Sequence, residues 1–471
     1  MSKPEGTGAL VLAAGKGTRM KSPVPKVLHP ILEEPLLRYP LAALAEAGVS
    51  QTAVVVGHGA EEVTRYLHQN WPDVVPVLQE LQNGTGHAVQ VAREWWKDIE
   101  TLIVLPGDAP LLTPEAIEAL LDRHAESGNA ATVMTFRIEN PFGYGRVIRD
   151  GDRCRIVEEK DASPDEHSVK EVNSGIYVFS TVALLRVIDR LGNRNAQGEF
   201  YLPDVFPLLS ESGLRVEPLL WEKANDLFGI NDPLQLAEAK REMRGRIVRK
   251  HLKNGIKMMD PQTTWIGPDV LLQPDVWIEA DVQIWGKTEI ECGAVVGSHS
   301  ILRNALIREK AHLVAFCCVT DSEIGPGAKV GPFAFIRDNS CLACGAYAGK
   351  FVEVKNTFIG ENSKVPHLAY LGDARVGKRT NIGAGTITCN YDGSRKNPTR
   401  IGDDCFVGSD TMLVAPVVLN DGCFTAAGST VTEDVPAGAL AVGRARQKNI
   451  EGWALRKKAV SRKEEEGWSR S

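Results

Sequence analysis

The chain lacks any excess of positive charge: 54 lysines and arginines stand against 60 aspartates and glutamates, a formal net charge of −6. Nucleic acid is therefore not an expected partner, and any phosphate must be held by local groups of cations rather than by a global field. No apolar run approaches a membrane span, and Met1 to Gly8 carries no hydrophobic stretch of the signal-peptide kind, so no membrane partner is expected. The nine cysteines follow no framework spacing, which fits a reducing cytoplasm. Cys341 and Cys344 form a lone C-x-x-C with no second pair at zinc-finger spacing, so both read as small buried residues. What remains is ordinary globular composition over 471 residues, enough for two or three domains with cores of their own.

Up to about Gly229 short β-rich runs alternate with helical patterns. Strands are expected at Ala9–Ala14, Thr52–Gly57, Val74–Leu78, Leu102–Leu105 and Ala131–Ile138, with helices at Leu36–Gly48, Thr85–Lys97 and Pro114–Ser127. The alternation predicts an α/β, Rossmann-like domain with a parallel sheet, whose ligands gather beyond the carboxyl ends of the strands. Two features fall there. Leu12-Ala13-Ala14-Gly15-Lys16-Gly17-Thr18-Arg19-Met20 runs from a strand into a glycine loop, with Pro25-Lys26 soon after. Its glycines let backbone N–H groups approach phosphate, and Lys16, Arg19 and Lys26 supply mobile charge. It is neither a dinucleotide fingerprint nor a Walker loop. Pro106-Gly107-Asp108 then sets a carboxylate at a strand end, a hard-oxygen ligand suited to Mg²⁺. Thr113 is the expected cap of the helix that follows, which leaves Asp108 free for that task.

Asp232-Pro233 starts a linking helix that ends near Gly255. From Ile266 the period becomes six: Ile266, Leu272, Ile278, Ile284, Ile290, Val296 and Leu302. The phase restarts at Ile324 and runs to Val354, shows briefly at Val376 and Ile382, and returns from Ile401 to Val431. Two residues before the anchors lie mostly small side chains, among them Ala328, Ala334, Ser340, Cys405 and Thr411. Residues two apart share a side of an extended segment, so large residues fill a core while small ones let the chain turn. The expected result is a solenoid of short parallel strands. The boundaries read as 1–231 for the first domain, 232–255 for the linking helix, 256–445 for the solenoid and 446–471 for a charged tail.

Both halves, in this order, resemble the bifunctional family that combines N-acetylglucosamine-1-phosphate uridylyltransferase with glucosamine-1-phosphate acetyltransferase. The resemblance implies a left-handed, triangular β-helix for the solenoid and a homotrimer in the cytoplasm. For the first half it implies that Arg19 and Lys26 act on phosphate and that Asp108 and Asn231 hold Mg²⁺. It further implies that UTP and UDP-N-acetylglucosamine are bound by Leu12, Ala13, Ala14, Gly15, Lys26, Gln79, Gly84, Thr85, Gly145, Glu158, Asn173 and Asn231. Glu199 and Tyr201 are weaker sugar candidates. For the second half it implies His367 as the general base, a task that suits an imidazole near neutral pH. Arg337, Lys355, Tyr370 and Asn381 would hold glucosamine 1-phosphate. Ala384, Asn390, Tyr391, Ser409, Ala427 and Arg444 would contact acetyl-CoA, with Lys396 in a polar loop nearby. The alternative is a single-function sugar-1-phosphate nucleotidyltransferase whose β-helix serves only assembly or regulation.

Overall fold

The computed structural model describes residues 6–150 and 153–468. The first five residues, and the last three of the charged tail, lie outside the described residues. The chain divides into two compact units, Met1–Ile247 and Val248–Ser471, and the division falls inside the helix Pro233–Lys253.

In the first unit a mixed sheet runs in the order Val216–Leu220, Ala131–Arg137, Glu171–Ser180, Thr101–Pro106, Thr7–Ala13, Gln51–Val56, Val75–Leu78. Thr7–Ala13 pairs in parallel with Gln51–Val56 and Thr101–Pro106, which puts their carboxyl ends side by side. Apolar cores cover both faces of the sheet, which is why Ala9–Val11 and Leu102–Leu105 are apolar without alternation. The all-parallel expectation fails at Glu171–Ser180, which lies antiparallel between two neighbours, and at the hairpin Arg146–Asp150 with Arg153–Val157. The apolar run in Glu171–Ser180 reads the same in either direction, so composition could not set its sense.

The helix Pro114–Ser127 stands as expected, and Thr113 Oγ1 caps it by accepting from Ala116 N–H at 3.3 Å. The stretch Thr85–Lys97 instead breaks at Ala92 into Thr85–Val91 and Arg93–Trp96. The buried Trp96 indole N–H donates to the Val89 carbonyl at 2.8 Å, taking the acceptor that a continuous helix would give to Arg93. Helix Pro233–Lys253 begins with Asp232 Oδ1 accepting from Gln235 N–H at 2.9 Å. Beyond it Gly255 takes a φ of 88°, the left-handed closure expected of a C-terminal glycine.

The second unit is the left-handed parallel β-helix, three faces of short strands stacked in register. One stack carries Ile284, Leu302, Val319, Ile336, Val354 and Leu371, all buried inward. The repeat does not lapse after Leu302. It continues through Ile307, Leu313 and Val319, all fully buried, because one side of the coil is a residue shorter and each turn takes 17 residues in place of 18. The longer step from Val376 to Ile401 accommodates the polar loop after Asn390. The small partners Ala328, Ser340 and Thr411 are buried as the turning model requires. Cys341 and Cys344 are not: the first is half-buried and the second exposed, since each lies off the inward positions of its coil. One corner adopts left-handed backbone at His299, Phe316, Phe333 and Phe351, and their rings stack at 4.7, 4.9 and 5.1 Å. The tail forms the helix Trp453–Trp468.

Candidate functional site

At the carboxyl edge of the first unit's sheet, four residues from three segments far apart in sequence meet. Lys26 Nζ donates to Asn231 Oδ1 at 2.9 Å and pairs with the Asp108 carboxylate, and Arg19 donates to the same Asn231 oxygen at 3.0 Å. The loop that carries them needs glycine at one position above all. Gly17 has a φ of 58°, and a Cβ there would lie 2.7 Å from Lys26 Cβ. Gly15 has open space around it, Leu12 O accepts from Gly107 N–H and Ala14 O from His58 N–H. These bonds tie Leu12–Gly15 to the Asp108 strand end and to the strand Gln51–Val56.

Asn231 is held in turn by Gln235, whose Oε1 accepts from Asn231 N–H at 2.7 Å. Arg246, further along the same helix, donates to Leu111 O at 2.7 Å and Asp226 Oδ1 at 2.8 Å, which fixes the helix to the segment after Asp108. The phenol of Tyr144 is pushed up by burial, with the Asp108 charge adding and Arg19 opposing. Among the described residues no group of three or more acidic, histidine or cysteine side chains could hold a metal. Asp108 and Asn231 nevertheless fit a divalent cation, because both present a hard oxygen to one point where an ammonium now sits.

Gln79 follows the strand Val75–Leu78 and is almost wholly buried; its Nε2 donates to Gly84 O at 3.2 Å and to His87 Nδ1 at 3.0 Å. Gly84 has a φ of 102°, and a Cβ there would lie 2.6 Å from Phe200 O, so no other residue fits. Thr85 Oγ1 accepts from Leu202 N–H. Beside this corner, Gly145 O accepts from Asn173 N–H at 2.9 Å, and Gly145 lies against the Glu158 carboxylate. Burial raises the Glu158 carboxyl to about 7, with Asp204, Asp161 and Glu199 adding repulsion. Asn173 donates to Tyr177 Oη at 2.6 Å. Glu199 is held through its backbone by Asn195, and Tyr201 accepts from Gln197.

In the β-helix, His367 is exposed on the same corner as the stacked rings. Register and hydrogen bonds align it with Lys350 below and with Ala384, Ser409 and Ala427 above. Gly385 N–H donates to Leu368 O, Asp410 N–H to Ala384 O and Gly428 N–H to Ser409 O. Arg444 reaches Gly428, at the top of that row. Arg337 and Lys355 are register partners on one face, and Tyr370 follows on the next coil. Arg337 is forked onto Glu353 at 2.7 and 2.9 Å and held by Asp338 at 2.9 Å. Lys396 reaches Lys355 from the polar loop, and that lysine's hydrogen bond and charge push Lys396 below its ordinary value. Asn390 is buried, donating to Asp373 at 2.6 Å, whereas Tyr391 is exposed. Asn381 lies elsewhere in this unit, on the adjoining face between Lys364 and Phe406.

Sequence reasoning missed Gln235 and the bond from His87 to Gln79. Both lie on helices whose spacing reads as ordinary, and only the fold turns them toward Asn231 and Gln79.

A family model for a MobA-like NTP transferase domain matches residues 9–244, and a model for bacterial transferase hexapeptide (six repeats) matches residues 398–433. Three curated relatives carry the name Bifunctional protein GlmU. That of Pelobacter propionicus is 46% identical, covering 96% of this chain and 99% of its own length. That of Alkaliphilus metalliredigens is 44% identical, covering 95% and 98%. That of Streptomyces coelicolor is 43% identical, covering 98% and 96%.

Proposed function

The chain belongs to the GlmU family of bifunctional proteins, and from that premise we propose which residues carry its two consecutive reactions. The β-helix half acetylates glucosamine 1-phosphate with acetyl-CoA. The first half transfers UMP from UTP to N-acetylglucosamine 1-phosphate and releases pyrophosphate. Together they make UDP-N-acetylglucosamine.

The convergence of Lys26, Arg19, Asp108 and Asn231 carries this reading. In-line transfer at the α-phosphate builds negative charge on the departing pyrophosphate. Lys26, now paired with the Asp108 carboxylate, and Arg19, now bonded to the Asn231 amide oxygen, turn to that charge when a triphosphate arrives. Asp108 and Asn231 would then hold Mg²⁺, which supplies a Lewis acid that draws charge off the triphosphate. Gln79, Gly84 and Thr85 meet the base, while Gly145, Glu158 and Asn173 meet the sugar. The polar Glu158 side of that pocket suits the hydroxyl and amide groups of N-acetylglucosamine.

In the second half the amine of glucosamine 1-phosphate must lose a proton before it attacks the thioester carbonyl. His367 takes that proton. The neighbouring positive charges of Lys355 and Lys396, the first pushing the second below its ordinary value, support a phosphate site there. Arg337 adds a guanidinium fork once the anion competes with Glu353. The row from His367 through Ala384, Ser409 and Ala427 offers an extended ledge for acetyl-CoA, with Arg444 at its end; a β-helix kept only for assembly needs no such ledge. The working form is a cytoplasmic homotrimer, and the stacked rings of Phe316, Phe333 and Phe351 give an apolar ridge for a neighbouring copy to cover. Assaying the purified protein for both half-reactions tests this. Uridylyl transfer without acetylation would reduce the chain to the single-function alternative.

A further inference from the structure

We infer that His87 sets the base specificity of the first half, by holding the Gln79 amide so that its oxygen and not its nitrogen faces the base. The inference rests on the reading that Gln79 meets the base of the nucleoside triphosphate. Gln79 stands at the carboxyl edge of the sheet, its backbone N–H bonded to Val56 O at 2.8 Å, with almost none of its surface exposed. Its amide nitrogen has two hydrogens, and both are spent inside the protein. One goes to the Gly84 carbonyl at 3.2 Å and the other to His87 Nδ1 at 3.0 Å.

A carbonyl can only accept, so the Gly84 bond identifies that end of the amide as the nitrogen, and His87 takes its second hydrogen. His87 must then offer a lone pair at Nδ1, with its proton on Nε2. Among the described residues Gln79 Oε1 has no hydrogen-bond partner. The side chain thus presents an acceptor and nothing else. Uracil brings an N–H at N3 to such a group. Cytosine brings a bare lone pair at N3, and two acceptors would face each other in a desolvated corner. Thymine keeps the N3–H and gains no penalty from this contact. Without the Nδ1 acceptor, one Gln79 hydrogen is left unpaired in a buried place, and the amide gains by turning it toward the ligand. Cytosine then finds a donor. The His87 ring is itself held against Phe200, at 6.4 Å between centroids, and the Phe200 carbonyl anchors Gly86 N–H at 2.7 Å. His87 is thus a positioning residue acting through Gln79.

The test compares UTP, CTP and dTTP as substrates of the full-length enzyme, wild type and variants. His87→Phe should lower the preference for UTP over CTP about ten-fold, the effect of one hydrogen bond. The change should fall mainly on the triphosphate KM and leave the ratio of UTP to dTTP unchanged. His87→Asn, whose Oδ1 takes the place of Nδ1, should restore the preference. His87→Gln, whose Oε1 takes the place of Nε2 instead, should not, and this polar pair decides the matter if the phenylalanine variant fails to fold. A UTP:CTP ratio that stays wild-type in His87→Gln while Gln79→Ala loses it would overturn the role of His87. A ratio unchanged in Gln79→Ala would overturn the base-reading assignment itself.

Discussion

Gln235 reaches back one turn and accepts the backbone N–H of Asn231 at 2.7 Å, while its own N–H donates to Asp232 at 2.9 Å. The start of the long helix thereby fixes the residue that shares its oxygen with Lys26 and Arg19. Gln235→Ala removes one side of this arrangement without touching any ligand. It should lower uridylyl transfer about ten-fold and raise the Mg²⁺ concentration needed for half-maximal rate, as expected for one lost hydrogen bond. Acetyl transfer, measured on the same sample, should not change. An unaltered Mg²⁺ requirement would show that Asn231 holds its place without Gln235.

Lys355 pushes Lys396 below its ordinary value while the Asp373 charge opposes that, so a ligand bringing negative charge eases the lysines' repulsion. Lys396→Ala should raise the KM for glucosamine 1-phosphate several-fold and leave the KM for acetyl-CoA near its wild-type value. Because the loop lysine is exposed, added salt should weaken the wild-type enzyme's sugar-phosphate affinity more than the variant's. A rise in the acetyl-CoA KM alone would move Lys396 to the other substrate.

Glu158 links pH to the stability of the first unit. Its carboxyl is raised from 4.5 to about 7 by burial, helped by Asp204, Asp161 and Glu199. Between those values the folded protein keeps a proton that the unfolded chain has lost, so stability falls as pH rises through this window. The loss is roughly 3 kcal/mol for a shift of this size. Urea unfolding of the wild type at pH 5 and pH 8 should show it, and Glu158→Gln should flatten the difference. A steeper fall in the variant would contradict the assignment.

The homotrimer makes a separable prediction. Light scattering on the intact protein should give three copies, and breaking the assembly should remove acetylation before uridylyl transfer, whose proposed residues all precede Asp232. Replacing Phe333 by Asp on the exposed ridge should weaken the assembly. A monomer with normal acetylation would contradict the homotrimer as the working form.

Much of this was legible because the chemistry sits in local runs. The Leu12–Met20 loop, the strand end at Asp108 and the six-residue rhythm need no long-range knowledge, and the Thr113 and Asp232 caps follow from neighbouring residues. The sense of Glu171–Ser180 was not legible, since an inward apolar strand carries no arrow. Nor was the continuity of the β-helix after Leu302. A side shortened by one residue shifts the phase, and a fixed period of six loses Ile307, Leu313 and Val319 although their core role is unchanged. The ladder His299, Phe316, Phe333, Phe351 repeats every 17 or 18 residues, a signal visible only once the coil length is known. Side-chain pairs such as Gln79 with His87 depend on where two elements meet, which no spacing encodes.

The central claim is that one chain carries two chemistries on two separate sets of residues. Asp108→Ala and His367→Ala, each assayed for both half-reactions, test it most directly. Asp108→Ala should abolish pyrophosphate release from UTP and N-acetylglucosamine 1-phosphate while acetylation stays near wild type. His367→Ala should lower acetylation by roughly two to four orders of magnitude, the range for a lost general base, and leave uridylyl transfer intact. Loss of both activities in either variant, or of neither, would contradict the account.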